Sequence, residues 1–339
     1  MYKDSLFQFG NMKPIASISL DLDNKWAYLK AHGDPAWESY PTYLPLVVPR
    51  ILDILEDLDQ KITFFVIGQD AEQEVNHAPL KMIAEAGHEI GNHSFNHEPW
   101  LHLYGPQQLA EEIQKTEDSL VKLTGQMPVG FRGPGFSLSD EVLRTLMRRG
   151  YLYDGTSFPT FLGPVARAYY FWTSRLSKGE KEERKELFGR FTDGFKALCP
   201  YSFSWRGRSV VEMPVTTMPI FRLPIHSSYL LFLAQVSTTL AKLYFWIALK
   251  LCKLMNVEPH LLLHPLDFMG REDDDELYFF PAMGEPTEKK VQLITDCLGM
   301  LQHEFNVVTM KEHVLHAKAS GLPSSTISVV PEGAQVDMA

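Results

Sequence analysis

Two carboxylates and two imidazoles have the spacing in this sequence that is best suited to chemistry. Asp21 and Asp23 end an apolar, alternating stretch, so in a strand both side chains point the same way. Burying two carboxylates costs free energy unless their charge is compensated. A bound cation would compensate both, or one carboxylate would bind a metal while the other acts as a base. The commoner role of a lone Asp-Leu-Asp is to cap a helix N-terminus or to lie exposed in a loop.

The two imidazoles are His93 and His97, which follow another strand-like stretch. On one helical turn, residues four apart lie on the same side. Together with Asp23 they offer two nitrogens and one oxygen, a three-ligand set that leaves a fourth position open for water in catalytic zinc sites. Two histidines at this spacing are more often surface or helix-cap residues, but their combination with the strand-end carboxylates favours a metal site.

Further polar residues also follow apolar stretches. Arg132 precedes Gly-Pro-Gly, a turn that frees backbone N–H groups, and an arginine at this position can pair with Asp21 and fix its aim. Asp154 and His264 each lie at the end of another strand-like stretch. We therefore expect the polar side chains to collect at one rim of the fold.

The elements that must position these residues alternate between strand and helix patterns. Such repeated β-α units predict a mostly parallel sheet, either open or closed into a barrel. The predicted strands cover residues 15–23, 61–68, 88–92, 129–132, 209–214, 260–264 and 307–310.

Composition narrows the classes of partner and location. A formal net charge of −10, with no dense Lys/Arg stripe, argues against nucleic acid as a partner. The three cysteines are far apart and odd in number, so we interpret them as reduced thiols. The first ten residues lack the apolar run of a secretory signal, from which we expect a cytoplasmic location.

One segment, residues 228–255, is apolar enough to resemble a membrane-spanning helix of about 20 residues. A single crossing would put His264 on the other side of the bilayer from Asp21, His93 and His97, so the site could not assemble. We therefore expect a helix or helical hairpin that lies in the membrane interface, or one buried against the body or a second subunit. Both alternatives remain open at this point.

The polar segments, in this order and at these distances, resemble the NodB-homology polysaccharide deacetylase family. Leu22 separates the two aspartates, as in the Asp-x-Asp branch that includes peptidoglycan-type deacetylases and lipid A pathway deformylases. The resemblance implies an α/β fold, a distorted (β/α) barrel of about seven parallel strands with a helical insertion. It implies Asp21 as general base and His264 as general acid, Arg132 and Asp154 as the residues that orient them, the backbone N–H of Gly135 as oxyanion donor, and Asp23, His93 and His97 as ligands of a divalent metal, Zn²⁺ by expectation.

The resemblance also divides the chain and suggests its activity. We expect an N-terminal extension (1–12), a catalytic domain (13–318) with helical insertions at 160–208 and 228–256, and a flexible tail (319–339). The implied reaction is removal of an N-acetyl or N-formyl group from an amino sugar in a glycan or lipid-linked saccharide, with possible peripheral membrane contact or self-association through 228–255. The alternatives are a metal-independent amidohydrolase of the allantoinase-like branch and a non-catalytic carbohydrate-binding relative. The complete set of predicted site residues argues against the binding relative, and the retention of all three ligands argues against the metal-independent enzyme.

Overall fold

The sheet at the centre of the fold is made of short strands. The structure is a computed structural model and describes residues 13–136, 138–185 and 187–326. Its strands are β1 (Ile15–Asp21), β2 (Thr63–Val66), β3 (Glu89–Asn92), β4 (Gly130–Phe131), β5 (Tyr153–Asp154), β6 (Tyr201–Trp205), β7 (Arg208–Glu212), β8 (His260–Leu263), β9 (Asn306–Val308) and β10 (Ser324–Thr326).

Seven of these strands form a parallel sheet in the order β7-β5-β4-β3-β2-β1-β8. β9 adds a parallel pairing to the start of β1, β6 pairs antiparallel with β7, and β10 pairs parallel with β6. The sheet curves until its two end strands, β7 and β8, lie side by side. The hydrogen bond that shows this joins the backbone N–H of Thr216, just after β7, to the carbonyl of His260 in β8 at 3.0 Å. The prediction of a distorted barrel of about seven parallel strands is confirmed.

Strand β1 carries opposite chemistry on its two faces. Ala16, Ile18 and Leu20 are fully buried in the main apolar core, against helices. Ser17 and Ser19 alternate with them and are also fully buried, but they hydrogen-bond histidines of other elements. Because successive side chains of a strand point to opposite faces, β1 separates an apolar outer layer from a polar barrel interior.

Helices cover the outer face of the sheet and one helix closes the barrel from below. That helix, α12 (Met310–Ser320), lies near the start of β2, because the backbone N–H of Met310 donates to Thr63 Oγ1 at 2.9 Å. Its Met310 and Val314 pack with Phe65 and Tyr153. The helices are α1 (Lys25–His32), α2 (Leu44–Asp57), α3 (Gly68–Ala71), α4 (Glu74–Glu85), α5 (Pro106–Thr124), α6 (Asp140–Arg149), α7 (Gly163–Thr173), α8 (Lys178–Glu183), α9 (Ser227–Ala234), α10 (Thr238–Leu254), α11 (Thr287–Glu304) and α12 (Met310–Ser320).

Two of the expected segments differ in part from the structure. The 160–208 segment holds α7, α8 and a 3-10 helix, but its last part forms β6 and joins the sheet, so it is not helical throughout. The expected flexible tail begins inside α12, and β10 pairs with β6, because edge strand β6 leaves backbone groups that a following segment can satisfy. The expected extension 1–12 and residues 327–339 lie outside the described residues.

The apolar 228–256 segment folds as a hairpin of α9 and α10 against the main core. Phe245 of α10 is fully buried, whereas Leu240, Leu243 and Trp246 are 52%, 50% and 46% exposed. Within the part of the chain that the structure describes, no helix has the length and apolarity to cross a bilayer.

Candidate active site

Strand register brings the predicted site residues to one edge of the sheet. Asn92 of β3 pairs in register with Phe131 of β4, which pairs with Asp154 of β5. His93 and Arg132 are the residues that directly follow Asn92 and Phe131. Because the carboxyl ends of parallel strands meet at one edge, side chains far apart in sequence become neighbours here.

Asp23, His93 and His97 form a group that could hold a metal ion. Their ligand atoms lie within 4.8 Å of one another. Asp23 Oδ1 is 3.2 Å from His93 Nε2 and 3.0 Å from His97 Nε2. Within the described residues, Asp23 Oδ1 and His97 Nε2 are nevertheless buried without a hydrogen bond of good geometry. Two nitrogens and one carboxylate oxygen with unused lone pairs fit a divalent cation such as zinc.

The charges around Asp23 favour its anionic form. Burial alone raises the pKa of this carboxyl, but the adjacent His97 and His93 lower it further than burial raises it, so the pKa lies well below its usual range. His93 Nδ1 lies 2.7 Å from the carbonyl oxygen of Arg132, and a proton on Nδ1 donates there. That tautomer leaves Nε2 as an acceptor facing Asp23, the arrangement common for metal-ligating histidines.

The segment that carries the two histidines is a tight loop, so the expected helical turn is wrong. Ser94 and His97 have left-handed backbone conformations, with φ of 61° and 52°. Glu112 of α5 stabilises this loop by accepting from the backbone N–H groups of Phe95 and Asn96 at 2.9 and 2.6 Å. The loop still brings both imidazoles to the same side of the segment. It does so because Glu112 holds its backbone, and the sequence analysis did not identify this residue.

Asp21 lies beside Arg132, as the sequence predicted. Arg132 Nη1 is 3.6 Å from Asp21 Oδ2, and the arginine is fully buried. Its other terminal nitrogen, Nη2, donates to Ser19 Oγ at 3.1 Å and lies 3.2 Å from His260 Nε2. Because Asp21 Oδ1 has no hydrogen-bond partner among the described residues, it can accept a proton from a water or substrate at this rim.

His260 is a second residue that sequence reasoning missed. Its Nδ1 lies 3.3 Å from the carbonyl oxygen of Pro214, and its Nε2 lies 2.8 Å from Ser19 Oγ. Burial, followed by the nearby Arg132 and His313, lowers the pKa of His260 well below its ordinary value. A neutral ring protonated on Nδ1 can accept from Arg132 through Nε2, so His260 fixes the direction of the guanidinium that faces Asp21.

His264 is oriented by Asp267, and the expected pairing with Asp154 is corrected. Asp267 Oδ2 accepts from the backbone N–H of His264 at 2.6 Å, and His264 Nδ1 lies 3.2 Å from Ser228 Oγ, which donates to Asp267 Oδ1 at 2.9 Å. The sequence His-Pro-Leu-Asp could have indicated this pairing. An aspartate three residues after the residue that precedes a helical turn can accept from the backbone N–H of that residue.

Asp154 instead belongs to a buried carboxyl pair. It accepts from Thr156 Oγ1 at 2.6 Å and lies against Glu212 of β7, its register partner. Burial raises the pKa of both carboxyl groups, and their mutual repulsion raises that of Glu212 further, so the pair retains a proton. The nearby Arg132 acts on Asp154 in the opposite sense.

Gly135 lies in a 3-10 turn after Arg132, with φ of 58°. A Cβ atom there would come within 2.3 Å of Leu187 Cδ1, so both the backbone conformation and the close neighbour require glycine. The turn frees N–H groups at the rim, and the oxyanion role of the Gly135 N–H stays a prediction.

The first half of the chain resembles proteins of a known family. Residues 35–153 match the model of the polysaccharide deacetylase family. A peptidoglycan deacetylase-like protein, FGM2 from Gibberella zeae, is 30% identical over 166 residues, which cover 47% of this chain and 46% of that protein. The chain thus spans about half the length of this curated relative.

Two solved structures resemble the fold. A polysaccharide deacetylase, described as putative, from Mycobacterium smegmatis has a TM-score of 0.61 at 21% identity, covering 95% of this chain and 96% of that one. The Puue allantoinase has a TM-score of 0.56 at 14% identity, covering 92% of both chains. At these identities the two likenesses establish the barrel fold alone.

The loop that carries Asp23 depends on a buried carboxyl group, Asp70, and this dependence predicts how stability varies with pH. Asp70 Oδ1 accepts from Asn24 Nδ2 and from Trp26 Nε1, both at 2.8 Å. Burial raises the pKa of Asp70 from 3.8 to about 7, although these hydrogen bonds act in the opposite sense. Between these values the folded protein retains a proton that the unfolded chain has lost, so the stabilisation present at low pH decreases as pH rises towards 7.

We expect Asp70→Asn, which keeps an oxygen acceptor and carries no charge, to reduce this decrease. Urea unfolding of the chelator-treated protein between pH 4.5 and 8 measures it, and the two proteins should differ by at most about 1.4 kcal/mol per pH unit, the value for one proton. Parallel stability curves for wild type and variant would show that Asp70 is ionised throughout this range.

Proposed function

We propose that this chain, in which residues 35–153 match the polysaccharide deacetylase family model, removes an N-acetyl or N-formyl group from an amino sugar of a glycan or lipid-linked saccharide. One observation carries the proposal: a carboxylate–histidine triad, in which His93 is buried and Asp23 and His97 are half-buried, lies at the same sheet edge as the Asp21–Arg132 pair. The relative named for peptidoglycan, a polymer of N-acylated amino sugars, supports the class of substrate. The proposed activity is a carbohydrate N-deacetylase.

Asp23, His93 and His97 would hold the metal, and we assign Zn²⁺ from the donor set. A divalent metal with these ligands supplies Lewis acidity, which polarises an amide carbonyl and makes water more acidic. Asp21 takes a proton from the attacking water, and Arg132, held by His260 and Ser19, keeps the carboxylate aimed at it.

Collapse of the tetrahedral intermediate breaks the C–N bond and requires a proton on the departing amine. His264 donates this proton, while Asp267 and Ser228 set the ring orientation through the contacts described above. The N–H of Gly135 would stabilise the oxyanion. The products are a free acid and an amino sugar with an unblocked amine.

The alternatives lose support from the same residues. Burying Asp23 Oδ1 and His97 Nε2 without a hydrogen-bond partner costs free energy. A bound metal would compensate this cost, whereas a metal-independent enzyme would leave it uncompensated. A non-catalytic binding protein would not need the Arg132–His260 arrangement behind Asp21. The likeness of the fold to an allantoinase does not distinguish these readings.

The division of roles between the two aspartates can be tested by comparing metal content with turnover. We expect His93→Ala and His97→Ala to lose most bound metal, and Asp21→Asn to retain it while turnover of N-acetylglucosamine oligosaccharides falls at least about 100-fold. Metal analysis of the purified variants and amine release from the sugar measure the two effects. Loss of metal in Asp21→Asn would make Asp21 a ligand, and metal-loaded wild type inactive on N-acetyl and N-formyl sugars would favour the binding-protein reading.

The positioning role of His260 predicts a separation of kcat from KM. His260→Phe removes the acceptor for Arg132 Nη2, so the guanidinium and Asp21 lose their alignment, and we expect kcat to fall about 100-fold with KM within twofold. His260→Asn retains a neutral acceptor and should recover most of kcat. Equal losses in both variants, with lowered melting temperatures, would indicate that His260 only supports packing.

We also propose that the α9–α10 hairpin binds a membrane surface that carries a lipid-linked saccharide. The hairpin connects with the site, because Ser228 at the start of α9 contacts His264. Leu240, Leu243 and Trp246 give α10 an apolar face that is about half exposed, of the kind that lies in a bilayer interface.

Liposome co-sedimentation tests this surface. We expect most wild-type protein to pellet with vesicles, and the triple change of Leu240, Leu243 and Trp246 to serine to release it without loss of metal. Phe245 is left unchanged because it is buried, and Met127→Ser with Leu315→Ser, at exposed positions elsewhere, is the matched control. Wild-type protein that stays in the supernatant as a dimer would assign the face to a second copy of the chain.

A further inference from the structure

The peptide unit between Arg132 and Gly133 makes a hydrogen bond at each of its two polar groups. Its carbonyl oxygen lies 2.7 Å from Nδ1 of His93, one of the three candidate metal ligands. Its N–H group, which belongs to Gly133, donates to Thr156 Oγ1 at 2.8 Å. The C=O and the N–H of one peptide unit share delocalised electrons, so a change in the bond at one group alters the bond at the other.

Thr156 extends this arrangement to the buried carboxyl pair. Its hydroxyl donates to Asp154 Oδ1 at 2.6 Å. A backbone N–H can only donate and a hydroxyl has a single proton, so the bond from Gly133 leaves the proton of Thr156 for Asp154. A carbonyl can only accept, so Nδ1 of His93 carries the proton in its bond to Arg132. The donors therefore all point from His93 towards Asp154, and we call this series of three bonds the relay.

Glu212 makes Asp154 the anionic member of the carboxyl pair. Glu212 Oε1 accepts from the backbone N–H of Ser157 at 2.8 Å, whereas Oε2 is buried and accepts no hydrogen bond from the described residues. A proton on Glu212 that is donated to Asp154 satisfies both carboxyl groups. Burial raises the pKa of each, but the bond between them lowers the pKa of Asp154 and raises that of Glu212 further.

The relay lies in the dry interior of the barrel. Thr156 and Asp154 are fully buried, and His93 is 1% exposed. In a medium of low dielectric, hydrogen bonds that are linked head to tail polarise one another, by roughly 10–30% per bond. The negative charge of Asp154 therefore makes the Arg132 carbonyl a stronger acceptor. A stronger bond at Nδ1 makes the other nitrogen of His93 more basic, and that nitrogen faces Asp23.

We propose that the Asp154–Glu212 pair raises the affinity of the site for a divalent metal through this relay, with Thr156 as the connecting residue. The proposal rests on the proposed function for the assignment of His93 as a metal ligand. Asp154, Glu212 and Thr156 are positioning residues, which act on His93 through the Arg132–Gly133 peptide. The role of Asp154 thus concerns the metal ligands instead of the expected partner, His264.

Metal affinity tests the connection at Thr156. Thr156→Val keeps the shape of the side chain but removes the hydroxyl, and we expect the dissociation constant for Zn²⁺ to rise about tenfold, the lower end of the range for groups that support metal ligands. Competition with a chromophoric chelator measures it. Thr156→Ser restores the hydroxyl and should recover most of the affinity, which distinguishes the relay from packing.

Thr145→Val is the matched control for this change. The Thr145 hydroxyl is also buried, and it has no hydrogen-bond partner among the described residues. We expect this variant to bind Zn²⁺ as tightly as wild type. An unchanged affinity in Thr156→Val, or an equal loss in Thr145→Val, overturns the proposal.

Substituting the two carboxyl groups separately tests which one supplies the charge. Asp154→Asn keeps an acceptor oxygen for Thr156 but removes the charge, so we expect weaker binding of Zn²⁺. Glu212→Gln keeps a neutral donor beside Asp154 and should bind nearly as tightly as wild type. Equal affinities in the two variants, or tighter binding by Asp154→Asn, overturns the role of Asp154.

The nuclear magnetic resonance spectrum of the metal-free protein tests the relay without turnover. With isotope-labelled histidine, the Nδ1 proton of His93 is identified as the signal that His93→Gln lacks. A weaker bond to the Arg132 carbonyl moves this proton upfield, and we expect that shift in Thr156→Val but not in Thr145→Val. A proton that does not move in Thr156→Val overturns the relay. The expected shift and loss of affinity in a protein that deacylates no sugar would leave the relay standing and refute the proposed function.

Discussion

The guanidinium of Arg132 is fully buried inside the barrel, and its charge requires polar or anionic groups around it. A cation removed from water loses several kcal/mol of hydration free energy, which only well-placed acceptors and counter-charges can offset. Asp21, Ser19 and His260 surround it, and the ring of Phe65 lies 4.9 Å from its central carbon. The carbonyl of the same residue fixes the tautomer of His93. A single residue thus links the candidate base to a candidate metal ligand.

The need to satisfy this cation explains why the barrel interior is polar. Ser17 and Ser19 replace the apolar side chains expected on a strand buried on both faces, and each contacts a buried histidine. His260 can accept from Arg132 only if its ring is neutral, a state that burial and the arginine itself both favour. The polar residues of β1 therefore continue from Asp21 into the barrel interior and hydrogen-bond the groups that hold Arg132.

Sequence patterns predicted the parts of the site that depend on strands. Each predicted residue at a strand end, such as Arg132, is at the sheet edge, because β-strand periodicity and the order of βα units fix that placement. Patterns failed where a loop or a tertiary contact decides. The left-handed conformation of His97 and the support from Glu112 have no local signal, and the partner of His264 is the local Asp267 because capping outcompetes a distant carboxylate.

The position of α12 beneath the barrel has a consequence for the order in which a ribosome produces the site. Asp23, His93 and His97 are all synthesised by residue 97, whereas Met310, which contacts Arg132 from below, comes 213 residues later. At 5–20 residues per second this interval lasts roughly 10–40 s, during which the three candidate ligands have been synthesised but the helix that covers Arg132 has not. The final arrangement of Arg132, and with it the alignment of Asp21, can therefore form only after α12 has been made.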